Sequence, residues 1–88
     1  MKKPFLEVTY RGGKPFAAYL YLDRRSADRV DRTERRGAFA VDYAPDGRPI
    51  GVEFIDTQHV DLAALNALLT NLHQANIAEA DVAPLSAA

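Results

Sequence analysis

Residues 37–56 read GAFAVDYAPDGRPIGVEFID, and this stretch decides the fold. Apolar residues alternate with small or polar ones on each side of a segment rich in turn residues, a period of two that is typical of half-buried strands. The Asp46-Gly47 pair between them is a strong hairpin signal, because glycine adopts a positive φ without steric cost. The sequence therefore predicts a β-hairpin with strands near residues 39–43 and 50–54.

The hydrophobic pattern also predicts the register of this hairpin. A two-residue loop of Asp46 and Gly47 places the apolar side chains of both strands on one face. A three-residue loop shifts the pairing by one residue and sets apolar side chains against the polar face, which is unfavourable when one face is buried. With the two-residue loop, Asp42 lies opposite Gly51 and Glu53 opposite Ala40, so the two acids share the other face among very small neighbours. The predicted apolar pairs are Tyr43 with Ile50, Val41 with Val52, and Phe39 with Phe54.

Two further strands are predicted before the hairpin, over residues 5–10 and 16–22. A turn containing two glycines and a proline separates them. The second run is apolar on both faces, with Tyr19 and Tyr21 sharing one of them. This pattern predicts either an interior strand or a strand that another subunit covers.

Residues 23–36, DRRSADRVDRTERR, allow two interpretations. In the first interpretation, they contain an edge strand over about residues 29–35, whose charges would prevent edge-to-edge aggregation. Alternatively they form a short helix capped by Ser26 and supported by charge pairs four residues apart. Val30 alone is a poor anchor for a helix, so we favour the edge strand.

A helix is predicted after the hairpin. Asp61 is a favourable N-cap, and Val60 before it can pack against the first turns. The leucines that follow have helical spacing and form one stripe: Leu62, Leu65, Leu68, Leu69 and Leu72. We predict a helix over residues 60–76. Its opposite side carries few charges, which predicts burial on two sides, against the sheet and against another subunit.

Together these elements predict a single α+β domain over residues 1–77. Its core, residues 5–56, is expected to be an antiparallel β-meander of four to five strands, with one C-terminal α-helix packed on a face. The alanine-rich residues 78–88 are expected to form a flexible tail.

The composition narrows the possible functions. Eleven basic and twelve acidic side chains nearly cancel, which gives no electrostatic footprint for nucleic acid or an anionic membrane. The absence of cysteine excludes disulfides and thiolate zinc sites and fits a reducing cytoplasm. No apolar run approaches the roughly 20 residues of a membrane span. We therefore expect a cytoplasmic protein that binds neither membranes nor nucleic acids.

Three patterns in the chain are similar to those of a known family: Tyr19-Leu20-Tyr21-Leu22, Arg32-Thr33-Glu34, and the run from Val41 to Ile55 with its Asp-Gly turn. Over about residues 5–56 the chain resembles a small prokaryotic domain-of-unknown-function family whose members read approximately "aLYI.L", "T.E" and "ivDyde.GrivGIEIl". The chain departs from that pattern at Ala44-Pro45, where acids are common, and at Phe16-Ala17. The resemblance implies a β-meander with a helix and no established activity. Some members accompany small toxin-like proteins, which suggests an antitoxin.

Asp42 and Glu53 are the candidate catalytic residues. Two carboxylates on one face of a hairpin can act as general acid and base or hold a divalent cation. The alternative is structural, with Asp42 bracing the turn and Glu53 pairing with an arginine, and we favour it because no third polar group accompanies them. His59, near two aspartates in sequence, is a candidate metal ligand, although its spacing matches no ligand motif. No cofactor is expected.

The apolar second face of the sheet predicts a homodimer, because one helix covers only one face. The candidate interface residues are Tyr19, Tyr21, Leu68 and Leu72. The leading hypothesis is a non-catalytic, homodimeric binding or assembly module that acts through its dimer surface and the charged residues 23–36. One version is an antitoxin-like neutraliser of a small protein partner. The competing hypothesis is a small hydrolase or divalent-metal-dependent enzyme that uses Asp42 and Glu53.

Overall fold

A computed structural model describes residues 4–86 of the chain. The chain forms a five-stranded antiparallel sheet followed by helices, so the predicted α+β class is confirmed. The strands are β1 (Phe5–Arg11), β2 (Lys14–Tyr21), β3 (Arg32–Arg36), β4 (Phe39–Tyr43) and β5 (Pro49–Phe54). The helices are α1 (Leu62–Asn71), a 3₁₀ turn (Glu79–Val82) and the short α2 (Ala83–Ser86). Residues 1–3 of the predicted domain and 87–88 of the predicted tail lie outside the described residues.

The strand order is β1-β2-β5-β4-β3, which corrects the expectation of one continuous meander. The chain forms a β1–β2 hairpin and a β3–β4–β5 meander, and the two units join where β2 pairs with β5. β3 is short and charged, which suits an edge strand, whereas the buried residues of β5 suit the centre of the sheet. The strand after β2 therefore lies at the far edge instead of beside β2.

The turn of the β4–β5 hairpin has three loop residues, and the predicted two-residue loop is wrong. The amide of Ala44 donates to the carbonyl of Arg48 at 2.9 Å, which leaves residues 45–47 in the loop. The amide of Gly47 donates back to the Ala44 carbonyl at 2.9 Å, and Gly47 has a φ of 91°. A turn followed by a left-handed glycine is the usual form of a three-residue hairpin loop.

A register shift in the hairpin compensates for the extra loop residue. Tyr43 pairs with Pro49 instead of the predicted Ile50, and the pairing shifts between Asp42 and Tyr43. One additional residue on β5 restores the alternation, so apolar side chains still share one face. The predicted pairs Val41–Val52 and Phe39–Phe54 are confirmed, as is the placement of Asp42 opposite Gly51 and Glu53 opposite Ala40.

Residues 23–31 contain no helix, and β3 confirms the edge-strand interpretation over a shorter range than predicted. Asp28 anchors this loop to the hairpin turn. Its carboxylate accepts from the Arg48 guanidinium at 2.5 Å and from the Arg25 amide at 2.8 Å. These two hydrogen bonds lower the pKa of Asp28 below its ordinary value.

Helix α1 begins as predicted and ends earlier. The Asp61 side chain accepts from the amide of Ala64 at 3.1 Å, which confirms the N-cap. The predicted end near residue 76 is wrong, because the helix ends at Asn71 and His73 has a left-handed φ of 59°. The amide of Gln74 then turns back to the carbonyl of Leu69 at 2.8 Å. This bond satisfies a carbonyl at the helix end.

The core cluster joins the sheet to the helices. Side chains of β2, β4, β5 and α1 meet there, and the fully buried members are Leu20, Val41, Val52, Leu65 and Leu69. We expected a loosely held tail from residue 78 onwards. Val82 and Leu85 instead belong to the same cluster, each 5% exposed, and Leu6 and Val8 of β1 pack against it. No helix within residues 4–86 is long and apolar enough to cross a membrane.

Candidate functional site

We call the side of the sheet that points away from the core cluster the outer face. Strand pairing brings two rows of side chains together there. In one row, Tyr19 of β2 lies between Glu7 of β1 and Glu53 of β5. In the neighbouring row, Tyr21 lies between Phe5 and Gly51. Gly51 is followed across β4 and β3 by Asp42 and Thr33.

A hydrogen-bonded chain joins residues of β2, β4 and β3 on this face and spans four strands, because it passes over β5. The hydroxyl of Tyr19 donates to Asp42 Oδ2 at 2.7 Å, and the hydroxyl of Thr33 donates to Asp42 Oδ1 at 2.6 Å. Tyr19 therefore extends over β5 from β2 to reach a carboxylate on β4. Both oxygens of Asp42 serve as acceptors for neighbouring hydroxyls.

Gly51 makes this arrangement possible. A Cβ atom built at Gly51 would collide with the ring and hydroxyl of Tyr19. Glycine in a strand interior commonly marks a place where another group approaches the backbone closely. The Tyr19 ring thus lies directly on the backbone of β5, and any larger residue at position 51 would displace it.

Burial and the neighbouring carboxylate keep Tyr19 protonated. Partial burial raises the pKa of its hydroxyl well above the ordinary value, and the hydrogen bond to Asp42 and the charge of that carboxylate raise it further. Tyr19 is therefore a hydrogen-bond donor throughout the physiological pH range. Asp42 accepts a hydrogen bond from a hydroxyl on each of its two carboxylate oxygens.

Aromatic rings form the adjacent part of the outer face. The centroids of Tyr19 and Tyr21 are 4.8 Å apart in an edge-to-face arrangement, and the Phe5 ring lies 5.9 Å from Tyr21. Phe5 is 62% exposed. The guanidinium of Arg24 lies 5.6 Å from the centroid of the Tyr21 ring, within the range of a cation–π interaction.

A cleft of about 180 Å³ opens beside Tyr19. Glu7 and Glu53 line it, and because they sit on strands either side of β2, their backbones are about 10 Å apart. Both carboxylates are exposed and can accept hydrogen bonds from a guanidinium or an ammonium group. The site combines two acids with an aromatic wall, which is chemistry suited to a basic side chain.

Asp42 and Glu53 lie on one face, as their spacing predicted, but they have different surroundings. Asp42 is half-buried beneath Tyr19, whereas Glu53 is exposed in the cleft. Residue Glu53 opposes Tyr19 and Ala40. The two acids therefore belong to different parts of the outer face, and Tyr19 contributes to both.

His59 lies beside one other candidate ligand, Asp56, within the described residues 4–86. Its Nδ1 lies 3.0 Å from Asp56 Oδ2, and its side chain is 83% exposed. Residues 4–86 contain no group of three or more histidine and acidic side chains that could hold a metal ion. The hydrogen bonds from the amides of Gln58 and His59 show that Asp56 braces the loop before α1.

The four predicted interface residues do not form one surface. Tyr19 and Tyr21 are half-buried on the outer face, whereas Leu68 and Leu72 are each 9% exposed within the core cluster of this chain. The leucine stripe of α1 faces the core, which leaves Leu68 and Leu72 little area for a second subunit. Only the tyrosines remain available for binding.

Sequence reasoning missed Glu7 and Thr33 as parts of this face, and it placed Gly51 there without predicting its contact with Tyr19. Glu7 and Thr33 join it through the β1–β2 and β3–β4 registers. The signal for Gly51 was present, since a glycine at an alternate position of a strand indicates close approach of another group.

No family model matches the chain, and no curated protein or solved structure matches it either. The family resemblance of residues 5–56 therefore stays a prediction.

Proposed function

We propose that this protein is a non-catalytic binding module in which the outer face of the sheet holds a basic segment of a small protein partner. The observation that carries the proposal is the cleft beside Tyr19, with Glu7 on one side and Glu53 on the other. An arginine or lysine side chain in this cleft would meet a carboxylate on either side and the aromatic side chain of Tyr19, which also lines the cleft.

The chain itself provides an example of the contact that we propose. Arg24 places its guanidinium over Tyr21, next to the cleft. A partner's arginine would use Tyr19 in the same manner, with the added charge of the two glutamates. This chemistry suits an antitoxin-like protein that neutralises a small basic partner in a reducing compartment, with α1 packed on the opposite face of the sheet as support.

The geometry favours binding over hydrolysis. General base catalysis requires a carboxylate that is free to take a proton from substrate or water. Asp42 instead receives hydrogen bonds from Tyr19 and Thr33 on its two oxygens. Glu53, the other acid of the enzyme hypothesis, lines the cleft with Glu7, where a pair of exposed carboxylates serves to attract a cation.

The proposal is tested by titrating the protein with a short arginine-rich peptide and with the same peptide carrying glutamine in place of arginine. We expect only the arginine peptide to bind, with an affinity that falls as salt is added, because exposed charges are screened. Chemical shifts should move at Tyr19, Glu7 and Glu53. Shift changes confined to other surfaces would overturn the proposal.

A matched pair of variants makes this test specific. The double substitution Glu7→Gln and Glu53→Gln should weaken peptide binding at least about tenfold, since it removes both charged acceptors. Glu79→Gln removes an exposed acid from the 3₁₀ turn and should leave binding unchanged. Equal affinities for the wild type and the double variant would contradict the proposal.

The same variants identify the natural partner. Tagged wild-type protein purified from its host should retain a small basic protein in stoichiometric amount, and the Glu7→Gln, Glu53→Gln variant should lose it. A partner that both proteins retain equally would show that binding uses another surface.

A further inference from the structure

The two edges of the sheet differ in a way that points to self-association. An exposed edge strand offers unpaired amides and carbonyls to other chains, and proteins usually protect such edges with charges. The five residues of β3 read RTERR and protect their edge well. The seven residues of β1 read FLEVTYR, of which only Glu7 and Arg11 are charged. Phe5 and Tyr10 of β1 are 62% and 52% exposed.

We propose that β1 pairs antiparallel with β1 of a second copy, about a twofold axis that passes between the two Val8 residues. An axis perpendicular to the sheet keeps both outer faces on the same side, so opposed residues must come from the same face of β1. Three pairs then occur twice in the dimer: Phe5 with Arg11, Leu6 with Tyr10, and Glu7 with Thr9. The central pair, Val8 with Val8, occurs once.

This register is self-complementary. It opposes Phe5 to Arg11, whose guanidinium lies over the Phe16 ring of its own chain, and sets apolar Leu6 against Tyr10. Shifting the axis to Glu7 would oppose two glutamates, which is unfavourable. Shifting it to Thr9 would leave Phe5 and Leu6 unpaired. Among registers that keep the faces aligned, the one centred on Val8 pairs the most residues without opposing like charges.

The dimer would also double the candidate binding surface, a consequence that rests on the proposed function. Glu7 and Thr9 line the cleft beside Tyr19, and they also lie on β1. Pairing Glu7 with Thr9 of the second copy brings the two clefts side by side on one ten-stranded sheet. A partner with two basic segments would then meet four glutamates on a continuous face, and its avidity would rise.

The first test is the mass of the protein in solution. We expect light scattering at about 100 µM to give twice the 9.7 kDa of one chain. Phe5→Lys opposes a lysine to Arg11 at two places in the dimer and should weaken association about tenfold or more. Val30→Lys is the matched control, because Val30 is also an exposed apolar residue, 45% accessible, but lies outside β1. Circular dichroism verifies that each variant folds.

Introduced cysteines test the register independently. The chain has no cysteine, so any disulfide reports the new pair alone. Under mild oxidation Val8→Cys should cross-link with itself, and a mixture of Glu7→Cys with Thr9→Cys should cross-link although neither does so alone. In a dimer of either variant alone, the two introduced cysteines are diagonal neighbours about 7–8 Å apart, which is beyond the usual reach of a disulfide. Arg35→Cys on the opposite edge, β3, should stay uncross-linked.

The inference is overturned if the wild type has the mass of one chain, if Phe5→Lys associates as tightly as Val30→Lys, or if the cross-links form at β3 instead of β1. Mass and cross-linking need no peptide, so this result is separate from that of the proposed function. A dimer that binds no arginine peptide contradicts only the proposed function. A monomer that binds the peptide contradicts only the β1 pairing.

Discussion

Gly51 should not tolerate even alanine, because the side chain of Tyr19 on β2 lies against its backbone. Replacing a strand glycine with alanine normally stabilises a protein by about 0.5–1 kcal/mol, because glycine loses more backbone entropy on folding. At Gly51 the added methyl group would occupy the position of the Tyr19 hydroxyl and ring. Tyr19 would have to turn away from β5 and release Asp42.

The cost follows from what Tyr19 loses. Its hydrogen bond to the Asp42 carboxylate contributes about 1–2 kcal/mol to the free energy of unfolding. Exposing roughly 40 Å² of its ring costs about a further 1 kcal/mol at 25 cal/mol per Å². After subtraction of the alanine gain, Gly51→Ala should lower the free energy of unfolding by about 1–2.5 kcal/mol.

A double-mutant cycle separates these contributions. Urea unfolding followed by circular dichroism, at one fixed protein concentration, gives the free energy of each variant. In a Tyr19→Ala background the obstacle is gone, and Gly51→Ala should stabilise by about 0.5–1 kcal/mol. The sign of the effect therefore reverses between the two backgrounds. If Gly51→Ala stabilises the wild type, or has the same effect in both backgrounds, the contact between Tyr19 and β5 does not exist as described.

Two other predictions concern the loop and the C-terminal segment. Hydrogen bonds from Arg48 and the Arg25 amide lower the pKa of Asp28 in the folded protein below its ordinary value. The ionised carboxylate therefore stabilises the fold above the ordinary pKa, and this stabilisation is lost as the pH falls through the lower pKa of the folded state. The melting temperature of Asp28→Asn should therefore decline less steeply below about pH 4 than that of the wild type, and parallel curves would refute this. Leu85→Ala should lower the free energy of unfolding by about 2–3 kcal/mol, because Leu85 is 5% exposed. Ile55→Ala, at a site that is 45% exposed, should lower it by about 0.5 kcal/mol or less. Equal small effects would show that the segment after residue 78 does not contribute to the core.

The sequence predicted those features that depend on neighbouring residues. Alternation around Asp46-Gly47 was sufficient to place Val41 opposite Val52, and Asp61 marked the start of α1 correctly. The loop length was wrong because a bulge can absorb one residue without changing which face is buried. The helix end was wrong because the leucine stripe reaches Leu72, although the chain turns at the left-handed His73.

The sequence did not predict features that depend on pairing between strands far apart in the chain. Nothing local to Tyr19 shows that it crosses β5 to meet Asp42, since that contact depends on which strand pairs with β2. The burial of Val82 and Leu85 was missed for a related reason. Two apolar residues three apart in an alanine-rich segment form too short a pattern to predict a helix that packs on the core.

The junction between β2 and β5 has a consequence for how the chain folds. Every other strand pair joins sequence neighbours, whereas this junction pairs residues roughly thirty positions apart, such as Tyr21 with Gly51. Its closure therefore carries the largest loss of chain entropy, which is offset by three residue pairs of the ladder and by burial of core side chains such as Leu20 and Val52. The β1–β2 hairpin and the β3–β4–β5 meander are accordingly expected to form first as separate units. The contact of Tyr19 with Asp42 then belongs to the late, slow step that joins them.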